Sequence, residues 1–448
     1  MGTEEKATRV IRVQKAGHAG LIERFRHDLN EAQFQAATAP DGANLILAGP
    51  GSGKTRVITY RVAHLIARGV PPESILLVTF TRRAAREMIS RLEGLIGNAA
   101  SRVWSGTFHH VGNRLLRRKL TAERLGFAPN FSILDSEDQT ALIHLAMEDA
   151  GFFEDGVAAP RPNVVQRLLS LAFNTQTSLK ALIHDRHGYL VPWIPLIEQA
   201  AECYRARKQA ANCLDYDDLL GLWAKLLRDD PEERGSQARM FHHILVDEMQ
   251  DTNAIQVGIV ESIAAAGAGN LTAVGDDAQS IYRFRGAHYE NILEFPKRHA
   301  NCRIFRLETN YRSTPQIVAF TNDVIRHNDS GFAKHLVSAR GSGIKPVLVA
   351  AADPHEEAQV ICQLILNDRD QGVSLNAMAV LVRNNHDSVI LQGELSARGI
   401  PFNVRGGLRF FEQAHVKDVL AYLRVVANPR DVMSWRRLLL LVPGIGKV

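Results

Sequence analysis

Cysteine is scarce in this 448-residue chain, and the four present, Cys203, Cys213, Cys302 and Cys362, show no paired spacing. That pattern speaks against a disulfide framework or a cysteine-built zinc site, and a reducing, cytoplasmic setting is expected. Long apolar runs are missing too: none approaches the roughly 18 residues that a membrane-crossing helix needs. The opening MGTEEKATRVIRVQKAGHAG contains no extended apolar core, so no secretory signal is expected. No internal repeat or low-complexity tract interrupts the chain. What remains is globular material, 46% hydrophobic and 23% charged, enough for about three domains. A net charge of +5 and a pI near 9.0 lean toward a polyanionic partner.

From Asn44 onward, strand and helix patterns alternate. NLILA leads into a glycine loop and the helical TRVITYRVAHLIARG. ILLVT leads into RRAAREMISRLEGLIG, where Met88, Ile89, Leu92, Leu95 and Ile96 recur at helical spacing. HHILVDE, LTAVGD and CRIFRLE are further short apolar strands, each ending in a polar cluster. Such alternation predicts a parallel sheet covered on both faces, with ligands at the carboxyl ends of its strands. Between about Val111 and Asn212 strand signals vanish and a helical insertion is expected. A second α/β unit is expected from near Ile304, with Ser313-Thr314-Pro315 as a helix start and VLVAAADPHEEAQVICQLIL and AVLVRNN continuing the rhythm. From about Phe410 a helical region begins. The expected organisation is a loose terminus (1–24), an α/β domain (25–110 and 213–303), a helical insertion (111–212), a second α/β domain (304–409) and a helical segment (410–448).

AGPGSGKT, from Ala48 through Gly49, Pro50, Gly51, Ser52 and Gly53 to Lys54 and Thr55, lies between a strand and a helix. Its glycines let the backbone bend so that amides face phosphate oxygens, and the helix N-terminus favours the same anion. Lys54 would reach the β- and γ-phosphates, and Thr55 would hold Mg²⁺. The strict pattern begins with glycine, and Ala48 relaxes it. HILVDE supplies a partner: an apolar strand ending in Asp247 and Glu248 directs one carboxylate toward Mg²⁺ and the other toward an attacking water. Together these segments describe a nucleotide triphosphatase of the P-loop kind. An LSGGQ-type signature is absent, which speaks against a transporter ATPase.

Several boxes, in order, resemble superfamily 1A DNA helicases of the UvrD/Rep/PcrA family. DEMQD (Asp247–Asp251) resembles the family's DExQD box, and LNEAQ (Leu29–Gln33) its adenine-reading Q motif. TFTRRAAREM and GTFHH resemble its single-strand-contacting boxes, and LDYDDLL its acidic helix start. GDDAQSIYRFRGA, LETNYRS, and GGLRFF with VKDVLAYLRVVANP continue the series across residues 25–446. The resemblance implies two RecA-like domains: a first (1A) carrying a helical insertion (1B), a partial second (2A), and the start of a helical 2B from residue 410.

The same resemblance implies roles residue by residue. Gln33 would recognise adenine, with Tyr311 stacking on it from the second domain and Arg56 nearby. Arg312 would act as an arginine finger, and Gln279 would sense the γ-phosphate. Arg285 would either reach that phosphate or only pin its box in place. Tyr282 and Phe284 would face DNA bases, with phenylalanine standing where the family usually has tryptophan. Thr79, Phe80 and His109 stand in DNA-contact boxes; Phe80 also reads as a core aromatic ending a buried strand. His109 and His110 lack a third ligand for a metal site. Six Arg/Lys between Arg102 and Arg124 form either a solvated face or an approach to DNA. Asp215, Asp217 and Asp218 read as a helix cap rather than a metal cluster. VPGIGKV resembles a helix–hairpin–helix turn.

The expected ligands are ATP, Mg²⁺, single-stranded DNA and its junction with duplex, with no membrane and with protein partners unknown. Residence in the cytoplasm, with the nucleoid, follows. Two later boxes of the family, including its second arginine finger, are not found, so a partial chain is expected. The leading reading is an ATP-driven 3′→5′ translocase and helicase. Alternatives are a non-hydrolysing nucleic-acid-binding piece and the helicase part of a helicase–nuclease.

Overall fold

In a computed structural model, residues 18–118, 124–153, 159–328, 331–405, 414–442 and 445 are described. They fall into two compact units, one of residues 1–344 with 430–433 and one of 345–429 with 434–448. The first is organised by strands β1 (Asn44–Ala48), β2 (Ile75–Val78), β3 (Trp104–Gly106), β6 (His243–Val246), β7 (Leu271–Gly275) and β8 (Arg303–Leu307). These form one all-parallel sheet in the order β3-β2-β6-β7-β1-β8.

Period-2 geometry divides each central strand between two cores. Leu45 and Leu47 of β1 face a cluster with Leu76, Ile244, Ala273, Trp223 and Phe295. Ile46 and Ala48 face the opposite cluster, with Val57, Leu77, Met88, Leu245 and Val274. Helices α1 (His18–Asp28), α2 (Glu31–Ala37), α3 (Lys54–Ala67) and α4 (Arg82–Ile96) contribute to the second cluster. Helix α5 (Phe108–Leu116) joins the first cluster with helices Tyr216–Asp229, Ala254–Ala266 and Glu290–Arg298.

The helical insertion forms its own core from helices Ser136–Asp149, Pro162–Thr175, Leu179–Arg186 and Ile194–Ala210. Two short strands, β4 (Ser132–Ile133) and β5 (Cys213–Leu214), pair at its base, so strand structure is not wholly absent there. The acidic LDYDDLL segment is a cap, as its sequence predicts. Asp215 accepts from the Asp218 amide, Asp218 accepts from the Asp215 amide, and Lys208 ion-pairs with both carboxylates.

Three expectations change. Residues 18–24 belong to α1 rather than to a loose terminus, because Leu21, Phe25 and Leu29 carry a buried i, i+4 stripe across that boundary; residues 1–17 lie outside the described residues. Near the boundary expected at Ile304, Arg303–Leu307 pairs along all of β1 as an edge strand of the first sheet. After it, β9 (Thr309–Asn310) pairs with β10 (Val337–Ser338), and helix Pro315–Arg326 begins at the expected Thr314-Pro315, although Thr314 makes no side-chain cap bond. In the second unit, helices Pro354–Asp370 and Asp387–Ala397 enclose Ala358, Cys362, Leu391, Leu395 and Ile400. The expected strands around Val347–Val349 and Val380–Val382 form no ladder among the described residues, and Leu348 and Leu381 are 96% and 95% exposed. Apolar β-branched sequence prefers an extended backbone, but a strand exists only when a neighbour takes its hydrogen bonds. GGLRFF and most of VPGIGKV lie outside the described residues, as does Lys119 in the basic run.

Candidate nucleotide and nucleic-acid site

Sheet order, not chain order, assembles the site. Across neighbouring strands β2, β6, β7, β1 and β8, the carboxyl ends deliver in turn Thr79-Phe80, Asp247-Glu248, Asp276–Gln279, the glycine loop and Asn310–Arg312.

The loop after β1 has Gly51 and Gly53 in the left-handed region, at φ +69° and +88°. Gly53 opens α3 with no side-chain cap, leaving the first helical amides without a side-chain acceptor. The Ser52 hydroxyl donates to Gly49 O (2.7 Å) and is spent inside the loop. Pro50 O accepts from Asn310 Nδ2 (2.7 Å), and Gly51 O accepts from the Tyr311 amide (2.9 Å). Gly51 is also a close approach: a Cβ there would sit 2.6 Å from Arg312 Cβ. Tyr311 and Arg312 are both exposed, and the Tyr311 backbone is anchored to the loop within one compact unit. The Tyr311 hydroxyl accepts from Asn30 Nδ2 (2.7 Å).

Gln33 is buried, and its amide is engaged. It donates to Ser52 O (2.8 Å) and accepts from the Asn30 amide (3.1 Å) in a reciprocal cap of α2. One N–H and one lone pair remain for a base. Arg56 is exposed on the first turn of α3.

Lys54 Nζ ion-pairs with Glu248 Oε2 at 2.9 Å, joining the ends of β1 and β6 across β7. Glu248 has φ +52°, a left-handed backbone costing a non-glycine residue about 1–3 kcal/mol. Gln250 holds it there, donating to Glu248 Oε2 (2.8 Å) while its carbonyl accepts from the Asp276 amide (3.0 Å). Asp247 is buried, and its Oδ1 has no hydrogen-bond partner among the described residues. Burial, then the neighbouring Glu248 charge, push its pKa up to about 7. The same two causes push Asp251 to about 7. A dry, unpartnered carboxylate oxygen that feels the charge of Lys54, the residue before the half-buried Thr55, fits a divalent cation.

Thr79 is corrected. It is 1% exposed, and its hydroxyl donates to Asp247 Oδ2 (3.3 Å), so it supports the acid from beneath and faces no groove. Phe80, the next residue, is half-buried, and its ring lies 4.8 Å from that of Tyr282, which lies 6.0 Å from Phe284. Phe284 is 65% exposed. Arg82 and Arg83 are exposed on the first turn of α4, which carries no acid. His109 meets Tyr216 edge-on at 5.6 Å. Burial, reinforced by Arg82, lowers its pKa to about 4, so it is neutral at pH 7 and makes no ionic phosphate contact.

Gln279 donates to Asp276 Oδ2 (2.6 Å) and lines a cavity of about 290 Å³ together with Pro50 of the loop. The Arg285 side chain lies outside the described residues. Of the basic run, Arg102 pairs with Glu73, Arg124 with Asp230, Arg114 covers Trp104, and Arg117 covers Phe131 while bonding Pro129 O and Phe131 O. These four cations serve the fold. Residues without a predicted role also enter the site. Gln250 was visible as the fourth letter of DEMQD; Asn30 and Asn310 lie inside LNEAQ and LETNYRS; Lys334 has no motif signal.

Residues 29–300 match the family model of the UvrD/REP helicase N-terminal domain, and residues 305–447 match that of the UvrD-like helicase C-terminal domain. The chain is 37% identical over 415 residues to the ATP-dependent DNA helicase PcrA of Bacillus subtilis, covering 92% of this chain and 54% of that one. It is 37% identical over 422 residues to the ATP-dependent DNA helicase UvrD1 of Mycobacterium tuberculosis, with the same coverages. To PcrA of Staphylococcus aureus it is 34% identical over 416 residues, 92% of this chain and 55% of that one. The chain thus spans about half the length of the curated relatives it matches. With RecA-like P-loop domains in the order these models require, the chain belongs to the UvrD/REP helicase family.

Proposed function

We propose that this chain binds ATP-Mg²⁺ and single-stranded DNA as part of a 3′→5′ DNA translocase and helicase that works at single-strand/duplex junctions. One observation carries the reading. The peptide Asp276–Phe284 shares a cavity with the phosphate loop through Gln279 and meets the aromatic Phe80 through Tyr282. A change at the γ-phosphate therefore has a path of a few residues to the bases.

The loop amides and Lys54 would take the β- and γ-phosphates. Lys54 pairs with Glu248 at 2.9 Å, so phosphate would replace one anion by another at Nζ and free Glu248 to accept a proton from the attacking water. Thr55 and Asp247 would hold Mg²⁺, which supplies charge neutralisation for the phosphates. Gln279 and Arg312 would sense and stabilise the γ-phosphate. Gln33, Asn30, Tyr311 and Arg56 would surround the base. Phe80, Tyr282 and Phe284 would stack on DNA bases at roughly 1–3 kcal/mol per base with little sequence preference, and Arg82 and Arg83 would meet the backbone. DNA work of this kind implies the cytoplasm and the nucleoid.

Steady-state ATP turnover with and without oligo-dT tests the proposal. Stimulation by the oligonucleotide is expected. Tight binding of both ligands with no turnover in either condition would instead favour a non-hydrolysing binder.

A further inference from the structure

A strap from Gly331 to Ser338 spans two parts of this site. Its Phe332 amide donates to Asp277 Oδ2 (3.2 Å), and Lys334 Nζ bridges the carboxylates of Asp276 and Asp277. Two residues later, Leu336 packs on Gly49 of the phosphate loop so closely that an added Cβ would collide with it at 2.4 Å. The strap is fixed beyond that point by β10, paired with β9.

The ionic contact is a dry one. The side chains of Lys334, Asp276 and Asp277 are 10%, 1% and 3% exposed. Among the described residues, no other cation lies within ion-pair distance of either acid. Adjacent carboxylates out of water repel each other and lose solvation, so without a cation their turn has a strong reason to open. That turn organises the site. Asp276 Oδ2 accepts from Gln279 Nε2, its Oδ1 accepts from the Ala278 amide (3.2 Å), and its own amide binds Gln250, which holds Glu248 against Lys54. Tyr282, three residues past Gln279, rests on Phe80.

We propose that Lys334 is a positioning residue for nucleotide–DNA coupling. By neutralising the Asp276–Asp277 pair from a strap that also presses on Gly49, it fixes the turn that directs Gln279 to one side and Tyr282 to the other. Lys334 lines the same cavity as Gln279 and Pro50, but its ammonium is taken up by the two carboxylates rather than left for a ligand. Its removal should therefore spare each binding event and uncouple them. The inference rests on the two-ligand reading above.

The decisive measurement is the affinity of the 448-residue chain for oligo-dT, with and without a non-hydrolysable ATP analogue and Mg²⁺. The unsubstituted chain should change its DNA affinity roughly 5–150-fold on nucleotide binding, the usual span of coupling between sites. Lys334→Met should keep each separate affinity within about threefold and lose the coupling, while Lys334→Arg restores part of it. Should Lys334→Met fail to fold, the double variant Lys334→Gln/Asp277→Asn relieves the carboxylate repulsion but leaves Asp276 without its cation, and is expected to be uncoupled as well. Unchanged coupling in Lys334→Met, or in the double variant where that is the one that folds, overturns the inference and leaves the two-ligand reading standing. Absence of binding or of coupling in the unsubstituted chain removes both.

Discussion

The two ends of Gly275–Ala287 differ in almost every physical respect. At its start, Asp276 and Asp277 are out of water, ion-paired with Lys334 and wired through Gln250 to the strained Glu248. At its other end, Tyr282 and Phe284 present aromatic rings, and Phe284 is largely open to solvent. The first environment suits a reaction that needs fixed charges and little water; the second suits a ligand that slides. On the proposed reading, the peptide keeps its two tasks chemically separate by burying one end and exposing the other.

Substitutions can test that division. The largest effect is expected from Lys54→Ala, which should reduce ATP turnover by about 10³-fold, as loss of a charge-stabilising donor does, while oligo-dT binding measured by anisotropy stays within severalfold. Equal loss of both would mean the two ends are not separable. Glu248→Gln comes next: turnover falls by roughly 10²–10⁴, the usual worth of a general base, with ATP binding retained in a filter or fluorescence assay. Normal turnover would remove Glu248 from its role. Tyr282→Ala should weaken oligo-dT binding by about 1–3 kcal/mol, leaving ATP affinity in the absence of DNA unchanged. An equal effect on both ligands would merge the two environments.

The smallest effect concerns pH. Burial lowers the pKa of both His109 and His243 from 6.5 to about 4. The unfolded chain therefore binds more protons than the folded one between those values, and stability falls as pH drops from about 6.5 to about 4. His243→Asn should flatten the decline in melting temperature across that window; an unchanged slope would show that other groups cause it.

Much of this was legible in the sequence, for local reasons. The phosphate loop, the acidic end of β6 and the cap at Asp215 are short-range patterns whose backbone consequences are carried by adjacent residues. Partners distant in sequence were not legible. The basic run between Arg102 and Arg124 reads equally as a solvated face or an approach to DNA, and only the structure shows four of its cations paired with Glu73, Asp230 and two aromatic rings. Thr79 stands in a segment that resembles a DNA-contact box, but the alternation of an extended chain turns it away from Phe80's side, and its hydroxyl bonds Asp247. Lys334 left no trace, since a lone lysine in a polar stretch carries no period. Val347–Val349 and Val380–Val382 read as strands just as ILLV does. ILLV has β3 and β6 on either side, and the other two have no ladder partner among the described residues.

The wound backbone at Glu248 has a consequence for anyone selecting sturdier versions of this protein. Glycine is the residue that φ +52° accommodates without strain, so a screen that rewards heat resistance alone will favour it at position 248. With Glu248 as the proposed base, such a screen would enrich chains that melt later and lose turnover, and only a parallel assay for phosphate release would tell them from real improvements.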